Sequence, residues 1–421
     1  MECIVNGISH AGEGVARIEG KATFIPYTIP GETVAVTITE EKKNYQRARL
    51  DQIIISSPDR TEPPCRHYFT CGGCSYQHVK YERQLALKRQ VVEETLKRIG
   101  RIDIKVNPVI GMENPWHYRN KVEWHTGQEA GEPLLGYYIN NTHKLIDIED
   151  CLLISEEMKD ASRYIKNRLQ QLRVPVACKV TVRQSTLGQL MIIFSGTGTS
   201  EIDFAQLADC FKEASLYSID QGIVCLHHGE TRLNEKLGEI TFEISPQAFF
   251  QVNHSQTEKM LDIIKDYAQL RRSDTVLDAY CGTGSIALSL AQDAKRIVGV
   301  EEFKAAIKDA KRNAFLNNIT NNQFIKGTCE DIIPILEDDF NVIILDPPRN
   351  GCKKELIQAV INKSPRSIIY VSCNPSTLAR DLAVLKDSIY QVKEVQPIDM
   401  FPQTHHVETV VLMSRVKDRK S

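Results

Sequence analysis

Short runs of alternating hydrophobic and polar residues fill the first part of the chain. The segments GVARIEG, KATFIPY and ETVAVTITEE are separated by Gly20, Pro30-Gly31 and Asn44, residue types that favour turns. Such alternation between turn residues indicates half-buried β-strands. We therefore predict that residues 1–56 form a small β-barrel of OB-like size.

The pattern changes after the proline-rich segment SSPDRTEPP, which is typical of a linker. Hydrophobic residues then recur at helical spacing over residues 81–100, where Gly100 fits a helix C-cap. Residues 108–245 mix strand-like and helix-like segments and carry no clear chemical motif. We predict a central α+β domain over residues 57–245.

From about residue 271 onward, apolar strand segments alternate with helical segments. This order is typical of a parallel, doubly wound sheet. We predict a Rossmann-like domain over residues 246–421, which makes the chain a multidomain α/β protein. The length of 421 residues fits about three domains of roughly 150 residues each.

Composition excludes several classes of protein. Lys and Arg number 52 and Asp and Glu number 54, so the net charge is −2 and any nucleic-acid surface must be local. We find no signal-peptide pattern and no apolar stretch of the ~18 residues that a membrane span needs. Twelve cysteines fit the reducing cytoplasm better than a disulfide framework. We therefore expect a cytoplasmic protein without membrane association, and no obligate protein partner is evident.

The segment DTVLDAYCGTGSIALSLA has the pattern of a strand, a glycine turn and a helix. Gly282 and Gly284 allow a tight turn beneath a ligand, and the helix is predicted to begin at Ser285. The next strand, RIVGVE, ends in Glu301, whose carboxylate can hold two ribose hydroxyls. Together these features favour an adenosine-containing ligand such as S-adenosylmethionine. The alternative is a strand end with an exposed carboxylate.

Three further reactive side chains lie at the ends of predicted strands. Asp346 follows the strand NVIIL and precedes a stiff Pro-Pro loop, and a solvated turn is the alternative. Cys373 follows SIIYVS, where the helix predicted from Ser376 would favour the thiolate. Glu408 precedes the last strand and is either a base or merely exposed.

A thiolate, a methyl donor and a base together point to one reaction. Carbon 5 of uracil is a poor nucleophile, but addition of a thiolate at carbon 6 gives an enolate that makes carbon 5 nucleophilic. Carbon 5 then takes the methyl group, a base removes its proton and the thiolate is eliminated. The residues thus predict covalent catalysis of uracil methylation.

The motifs DPPRNG, YVSCNP and FPQTHHVETVVL resemble those of the RNA uracil-5-methyltransferase family, and the resemblance extends over about residues 7–414. It implies that Cys373 is the nucleophile and Glu408 the proton-abstracting base. It also implies that Phe249 contacts the flipped target base. Without the resemblance, the residues alone predict that Phe249 and Phe250 belong to the core. The positions that match donor-binding residues of the family are Gln251, Tyr280, Ser285, Glu301 and Asp346.

Some family positions match less closely. Ser285 stands where some members have Asn. The acidic motif after the third strand matches either Glu330 or Asp331. The resemblance also implies that the helix near residues 80–105 packs on the catalytic domain, so that the central domain would be discontinuous in sequence.

A cysteine pattern follows the barrel. Cys65, Cys71 and Cys74 form C-x5-C-x2-C, which predicts a metal site. From the residues alone, zinc and an iron–sulfur cluster fit equally well, since thiolates bind both. The family match adds Cys151 as fourth ligand and implies a [4Fe–4S] cluster. Radical chemistry is the alternative, but radical enzymes usually show C-x3-C-x2-C.

The segment GEGVARIEGKATFIPYTIPGETV resembles the TRAM domain, which implies RNA binding. The candidates for RNA contacts are Lys42, Lys43, Tyr45 and Arg47, which could instead form a solvated face.

The TRAM-like region and the four cysteines together resemble the 23S rRNA branch of the family. We therefore expect methylation of a 23S rRNA uridine to 5-methyluridine. The alternatives are a tRNA uridine, an exocyclic amine of adenine, and an RNA-binding or folding factor without catalysis.

Overall fold

The computed structural model describes residues 1–139, 142, 144–148 and 150–416. The N-terminal strands are β1 (Glu2–Ile4), β2 (Gly7–Ile8), β3 (Gly14–Ile18), β4 (Lys21–Ile25), β5 (Thr33–Glu41) and β6 (Tyr45–Ile55). They form one sheet in the order β1-β5-β6-β4-β3-β2. The Asn6 N–H donates to the Val15 carbonyl at 2.8 Å, which brings the start of the sheet beside β3. The predicted β-barrel is confirmed.

The central region builds a second sheet. Its elements are α1 (Tyr81–Arg98), β7 (Lys121–Glu129), β8 (Glu132–Tyr138), β9 (Leu145–Asp147), α2 (Glu156–Lys166), β10 (Lys179–Gln184), β11 (Leu190–Ser195), α3 (Phe204–Cys210), β12 (Ser215–Asp220) and β13 (Ile223–His228). The strand order is β13-β12-β11-β10-β7-β8-β9. Only β11 and β12 pair in parallel among these described strands. A hairpin of β14 (Leu233–Leu237) and β15 (Ile240–Ile244) then leads into the last domain.

The C-terminal region alternates strands and helices as predicted. Its elements are α4 (His254–Ala268), β16 (Thr275–Ala279), α5 (Ser285–Leu290), β17 (Arg296–Glu301), α6 (Lys304–Leu316), β18 (Asn322–Lys326), α7 (Cys329–Ile332), β19 (Val342–Leu345), α8 (Lys354–Lys363), β20 (Ser367–Ser372), α9 (Pro375–Lys386), β21 (Tyr390–Ile398) and β22 (Glu408–Arg415). The strand order is β18-β17-β16-β19-β20-β22-β21. In this sheet β22 runs antiparallel to both of its neighbours, β20 and β21. Apolar residues of α4, α5 and α6 cover one face, and those of α8 and α9 cover the other. No helix among the described residues is long and apolar enough to cross a membrane.

Helix α1 packs against this C-terminal sheet rather than against the central one. Val92 and Leu96 belong to the same hydrophobic cluster as Leu378 of α9. The segment after the helix runs beside β21, where the Asn107 N–H donates to the Val395 carbonyl at 3.0 Å. The segment that follows α1 is thereby anchored beside the edge strand β21, which β22 separates from the strand that carries Cys373.

Candidate active site

The carboxyl edge of the C-terminal sheet gathers the predicted reactive side chains. Asp346 follows β19 and Cys373 follows β20, which are neighbouring parallel strands. β22 runs antiparallel to β20 and pairs Thr409 with Ser372. The next position in this register places Glu408, which is 4% exposed, opposite Cys373. A thiol and two carboxyl groups therefore share one crevice.

Desolvation and like charge control the protonation of these groups. Desolvation raises the pKa of Asp346 to about 7. Desolvation, and then the nearby Asp346, raise the pKa of Glu408 well above its usual range. Desolvation, and then Glu408, raise the pKa of the Cys373 thiol to about 11. The positive charge of Arg349 lowers the pKa of both Glu408 and Cys373. Such crowding of acidic groups is typical of proton-transfer sites.

The helix after Cys373 does not produce the thiolate that we predicted. Helix α9 begins at Pro375, one residue earlier than predicted, and Asn374 Oδ1 accepts from the Ser376 N–H at 3.0 Å. This cap already satisfies one of the free N–H groups of the helix. Burial of the sulfur, followed by the charge of Glu408, raises the pKa of the thiol to about 11, which disfavours the thiolate.

The DPPRNG loop is tied to the start of α9. The Arg349 carbonyl accepts from Asn374 Nδ2 at 3.0 Å. Gly351 has a φ of +72°, and a Cβ at this position would lie 2.5 Å from Asp381 Oδ2. Glycine is therefore required where the loop meets the helix. These contacts keep the Arg349 charge beside Cys373. The sequence offered only the position of this arginine within DPPRNG as a signal for its role.

The glycine turn after β16 has the features of a nucleoside site. Glu301 Oε2 accepts from the Gly282 N–H at 3.1 Å, and Oε1 accepts from the Phe303 N–H at 2.8 Å. A Cβ built on Gly282 would meet open space, and Ser285 opens α5 directly after the turn. Asp278 Oδ2 accepts from an N–H of α5 at 2.9 Å, whereas its buried Oδ1 has no hydrogen-bond partner among the residues that the structure describes. The unsatisfied acceptor and the open space fit a bound nucleoside.

Tyr280, which follows β16, contacts one of the two adjacent acidic residues. Its φ of +65° lies in the left-handed region, and its hydroxyl donates to Glu330 Oε1 at 3.3 Å. Desolvation raises the pKa of this hydroxyl, which keeps it a donor. Asp331 instead accepts from Thr328 Oγ1 at 2.7 Å at the exposed start of α7. Of the two adjacent acidic residues, Glu330 is therefore the one that contacts Tyr280.

The segment PQAFFQVN connects the two larger domains. The Gln251 carbonyl accepts from Asn120 Nδ2 at 3.0 Å, and Asn253 Nδ2 donates to the Met400 carbonyl at 3.1 Å. Phe250 is buried in the core, but Phe249 is 68% exposed. The prediction that Phe249 is a core residue is therefore wrong. Its exposure leaves a large aromatic face free beside the segment that carries Gln251.

The four predicted cysteine ligands lie together. Cys65, Cys71, Cys74 and Cys151 line one cavity of about 50 Å³ beside Arg119. Burial, and then the neighbouring thiols, raise the pKa of Cys71 to about 11 and that of Cys74 to about 12. Among the residues that the structure describes, no three His, Cys, Asp or Glu side chains form a group that could hold one metal ion. The described part of the chain thus contains a shared thiol cavity but no preformed single-ion site.

Known sequences resemble this chain over its full length. A family model described as tRNA (Uracil-5-)-methyltransferase matches residues 228–416, and a TRAM domain model matches residues 1–50. An uncharacterised RNA methyltransferase of Listeria innocua is 38% identical over 98% of this chain and 97% of the relative. An uncharacterised RNA methyltransferase of Bacillus cereus is 39% identical over 99% of this chain and 97% of the relative.

A solved structure matches the whole architecture. The Pyrococcus abyssi tRNA (uracil-54, C5)-methyltransferase, solved with S-adenosyl-L-homocysteine, has a TM-score of 0.77 and is 25% identical. The match covers 98% of this chain and 99% of that structure. This chain belongs to the RNA uracil-5-methyltransferase family and is an S-adenosylmethionine-dependent RNA methyltransferase.

Proposed function

We propose that this protein methylates carbon 5 of a specific uridine in 23S rRNA and so forms 5-methyluridine. The observation that carries the proposal is the register of β20 and β22, which sets Glu408 opposite Cys373 and beside Asp346. Methylation of an exocyclic amine would need no thiol, and an RNA-binding factor would need neither a thiol nor a buried carboxylate. An RNA substrate of this kind also fits action in the cytoplasm.

Different side chains carry out the separate steps of the reaction. The Cys373 thiol releases its proton to solvent as Sγ adds to carbon 6 of the uracil, and the electron pair of the carbon 5–carbon 6 double bond moves into the enolate. The charge of Arg349 favours the anionic sulfur in this step. When bound, S-adenosylmethionine supplies the electrophilic methyl group. Glu408 then takes the proton from carbon 5, the electron pair forms the carbon 5–carbon 6 double bond, and Sγ leaves. The raised pKa of Glu408 suits a base that removes a carbon-bound proton.

Residues around the crevice hold the two reactants. Glu301 and Tyr280 lie at the ends of the strands that flank the glycine turn, and the family resemblance adds Gln251, Ser285 and Asp346 to the donor site. We assign stacking on the extruded uracil to Phe249, because its ring is exposed and unpaired bases stack on aromatic side chains.

The thiol cavity fits a [4Fe–4S] cluster better than zinc. Four thiolates around one zinc ion would lie about 3.8 Å apart, because the Zn–S distance is about 2.3 Å. The cysteines instead surround a cavity and form no single-ion group among the described residues. Cys65, Cys71, Cys74 and Cys151 would hold the cluster, which would tie the 65–74 loop to the central domain. We assign it a structural role.

We expect Cys151→Ala to lose most of its iron and acid-labile sulfide, because this thiol lines the same cavity and is the one proposed ligand outside the 65–74 loop. The variant should also unfold at a lower temperature, since a bound cluster stabilises the folded state. Metal analysis and a thermal melt of protein purified without oxygen measure both effects. Cys210→Ala, an exposed thiol of the same domain, is the matched control. Wild-type protein that contains zinc and no sulfide would contradict the cluster.

Two RNA classes compete as the substrate. The four-cysteine pattern resembles the 23S rRNA branch. The Pyrococcus abyssi tRNA enzyme, however, aligns with 98% of this chain. The presence of the barrel therefore does not distinguish an rRNA substrate from a tRNA substrate. The barrel presents Tyr45 5.8 Å from Phe24, with Arg47 5.9 Å from the Phe24 ring, and either RNA could stack there. A tRNA uridine is therefore the second candidate.

A mechanism-based trap tests substrate and chemistry together. We expect the protein, incubated with S-adenosylmethionine and 23S rRNA fragments containing 5-fluorouridine, to form a complex that survives a denaturing gel. Fluorine cannot leave as a cation, so Sγ stays bonded to carbon 6. Peptide mapping should place the RNA on Cys373. An adduct with tRNA alone would keep the chemistry and change the substrate, and no adduct with either RNA would contradict the proposal.

A further inference from the structure

Residues 399–407 connect β21 to Glu408, so their path decides where that carboxylate lies. Side chains of α1 hold the start of this segment. Lys88 Nζ lies 2.5 Å from Asp399 Oδ1, and both side chains are fully buried. Lys88 also donates to a backbone carbonyl of the segment at 3.1 Å, and Tyr81 OH donates to Asp399 Oδ2 at 2.8 Å.

The middle of the segment is held in an unusual backbone conformation. Gln403 has a φ of +68°, in the left-handed region that residues other than glycine rarely adopt. Its carbonyl accepts from the N–H groups of Ser75 at 3.0 Å and Tyr76 at 2.9 Å. Gln84 Nε2 donates to Gln403 Oε1 at 2.9 Å, and Gln84 Oε1 accepts from the Gln403 N–H at 3.2 Å. Such strain persists only where the surrounding contacts over-determine it.

The last part of the segment rests on the cysteine loop and the barrel. Ser75, the residue after Cys74, accepts through Oγ from the His405 N–H at 2.8 Å. A Cβ on Gly12 of the barrel would lie 2.6 Å from His405 Cβ, so the two backbones approach closely. Elements far from the sheet in sequence therefore meet only a few residues before Glu408.

We propose that Ser75, Gln84 and Gln403, the Gln403 clamp, are positioning residues that hold Glu408 against carbon 5 of the substrate and so set the rate at which methylated RNA is released. This inference rests on the proposed role of Glu408 as base. The clamp touches no reacting atom. Cys373 is positioned separately, by β20 and by the loop that carries Arg349. Loss of the clamp should therefore slow proton removal and leave thiol attack and methyl transfer largely intact.

Gln84→Leu tests the clamp, because leucine keeps most of the bulk of the side chain and removes both amide hydrogen bonds to Gln403, together with those to the Tyr76 and Val79 carbonyls. Gln90→Leu is the matched control, since Gln90 lies on the same helix and bonds to Glu94 at 2.8 Å. With ordinary uridine RNA and S-adenosylmethionine, we expect Gln84→Leu to release product about tenfold more slowly or worse, since a misplacement of about 1 Å can cost about 10²-fold. The methylated covalent adduct should accumulate in proportion.

A second measurement does not depend on the chemistry. Amide hydrogen exchange of residues 403–408 should quicken in Gln84→Leu and stay unchanged in Gln90→Leu. Ser75→Ala should show a smaller effect of the same kind, and Ser75→Thr should return the exchange rate to that of the wild type. If Gln84→Leu does not fold, the Ser75 variants provide the test. The clamp proposal is wrong if amide exchange of residues 403–408 is unchanged in Gln84→Leu. It is also wrong if adduct formation and product release slow by the same factor. If Glu408→Gln releases product normally, the base assignment fails instead, and the exchange data still decide whether the clamp exists.

Discussion

Replacing Cys373 with alanine abolishes methylation and leaves RNA binding intact. We expect the rate to fall by about 10⁴-fold or more, the size of loss that follows removal of a covalent nucleophile. The sulfur lies at the end of a buried strand and faces Glu408, so the substitution removes the attacking atom without opening the core. Transfer of a labelled methyl group to RNA measures the loss, and a filter-binding titration measures RNA affinity.

A matched thiol separates chemistry from general damage. Cys225 is exposed on the edge strand β13, and Cys225→Ala should methylate at the wild-type rate. The 5-fluorouridine adduct should also vanish in Cys373→Ala alone. Methylation at a near wild-type rate by Cys373→Ala would show that carbon 6 is not attacked by this sulfur, and the covalent mechanism would have to be abandoned.

The strand ends that carry the chemistry could be predicted because buried parallel strands have a strong sequence signal. The run before Asp346 is entirely apolar, and the run before Cys373 is apolar from Ile368 to Val371 and is followed by Ser372, as expected when both faces of a sheet are covered. The residue that follows such a run must lie at the carboxyl edge, where open sheets bind ligands. The positions of these side chains therefore follow from local patterns alone.

The remaining features depend on contacts between distant parts of the chain. Glu330 and Asp331 are adjacent in sequence, and only the cap made by Thr328 shows that Asp331 turns away from Tyr280. The raised pKa of the Cys373 thiol results from burial and from side chains on other strands, which no local pattern encodes. The exposure of Phe249 beside the buried Phe250 is likewise a tertiary effect.

Glu408→Gln methylates RNA but releases it slowly, so that a covalent adduct with ordinary uridine accumulates. Glutamine keeps the shape of the side chain and cannot accept the carbon 5 proton. General acid–base groups typically contribute about 10²–10⁴-fold, and we expect turnover to fall by this amount. The first step should not suffer, because Glu408 raises the pKa of Cys373 and its neutralisation makes the thiol more acidic. A denaturing gel with labelled RNA measures the adduct, and a single-turnover assay measures methyl transfer.

The pattern of adducts distinguishes the two carboxyl groups of the crevice. Glu394→Gln, an exposed glutamate on the neighbouring strand β21, should behave as wild type. Asp346→Asn should weaken donor binding and form less adduct, because we place Asp346 at the donor. Accumulation of adduct in Asp346→Asn together with normal turnover in Glu408→Gln would move the role of base to Asp346. Since Asp346 has a pKa of about 7 and lies near Glu408, this exchange of roles is the sharpest alternative that the crevice allows.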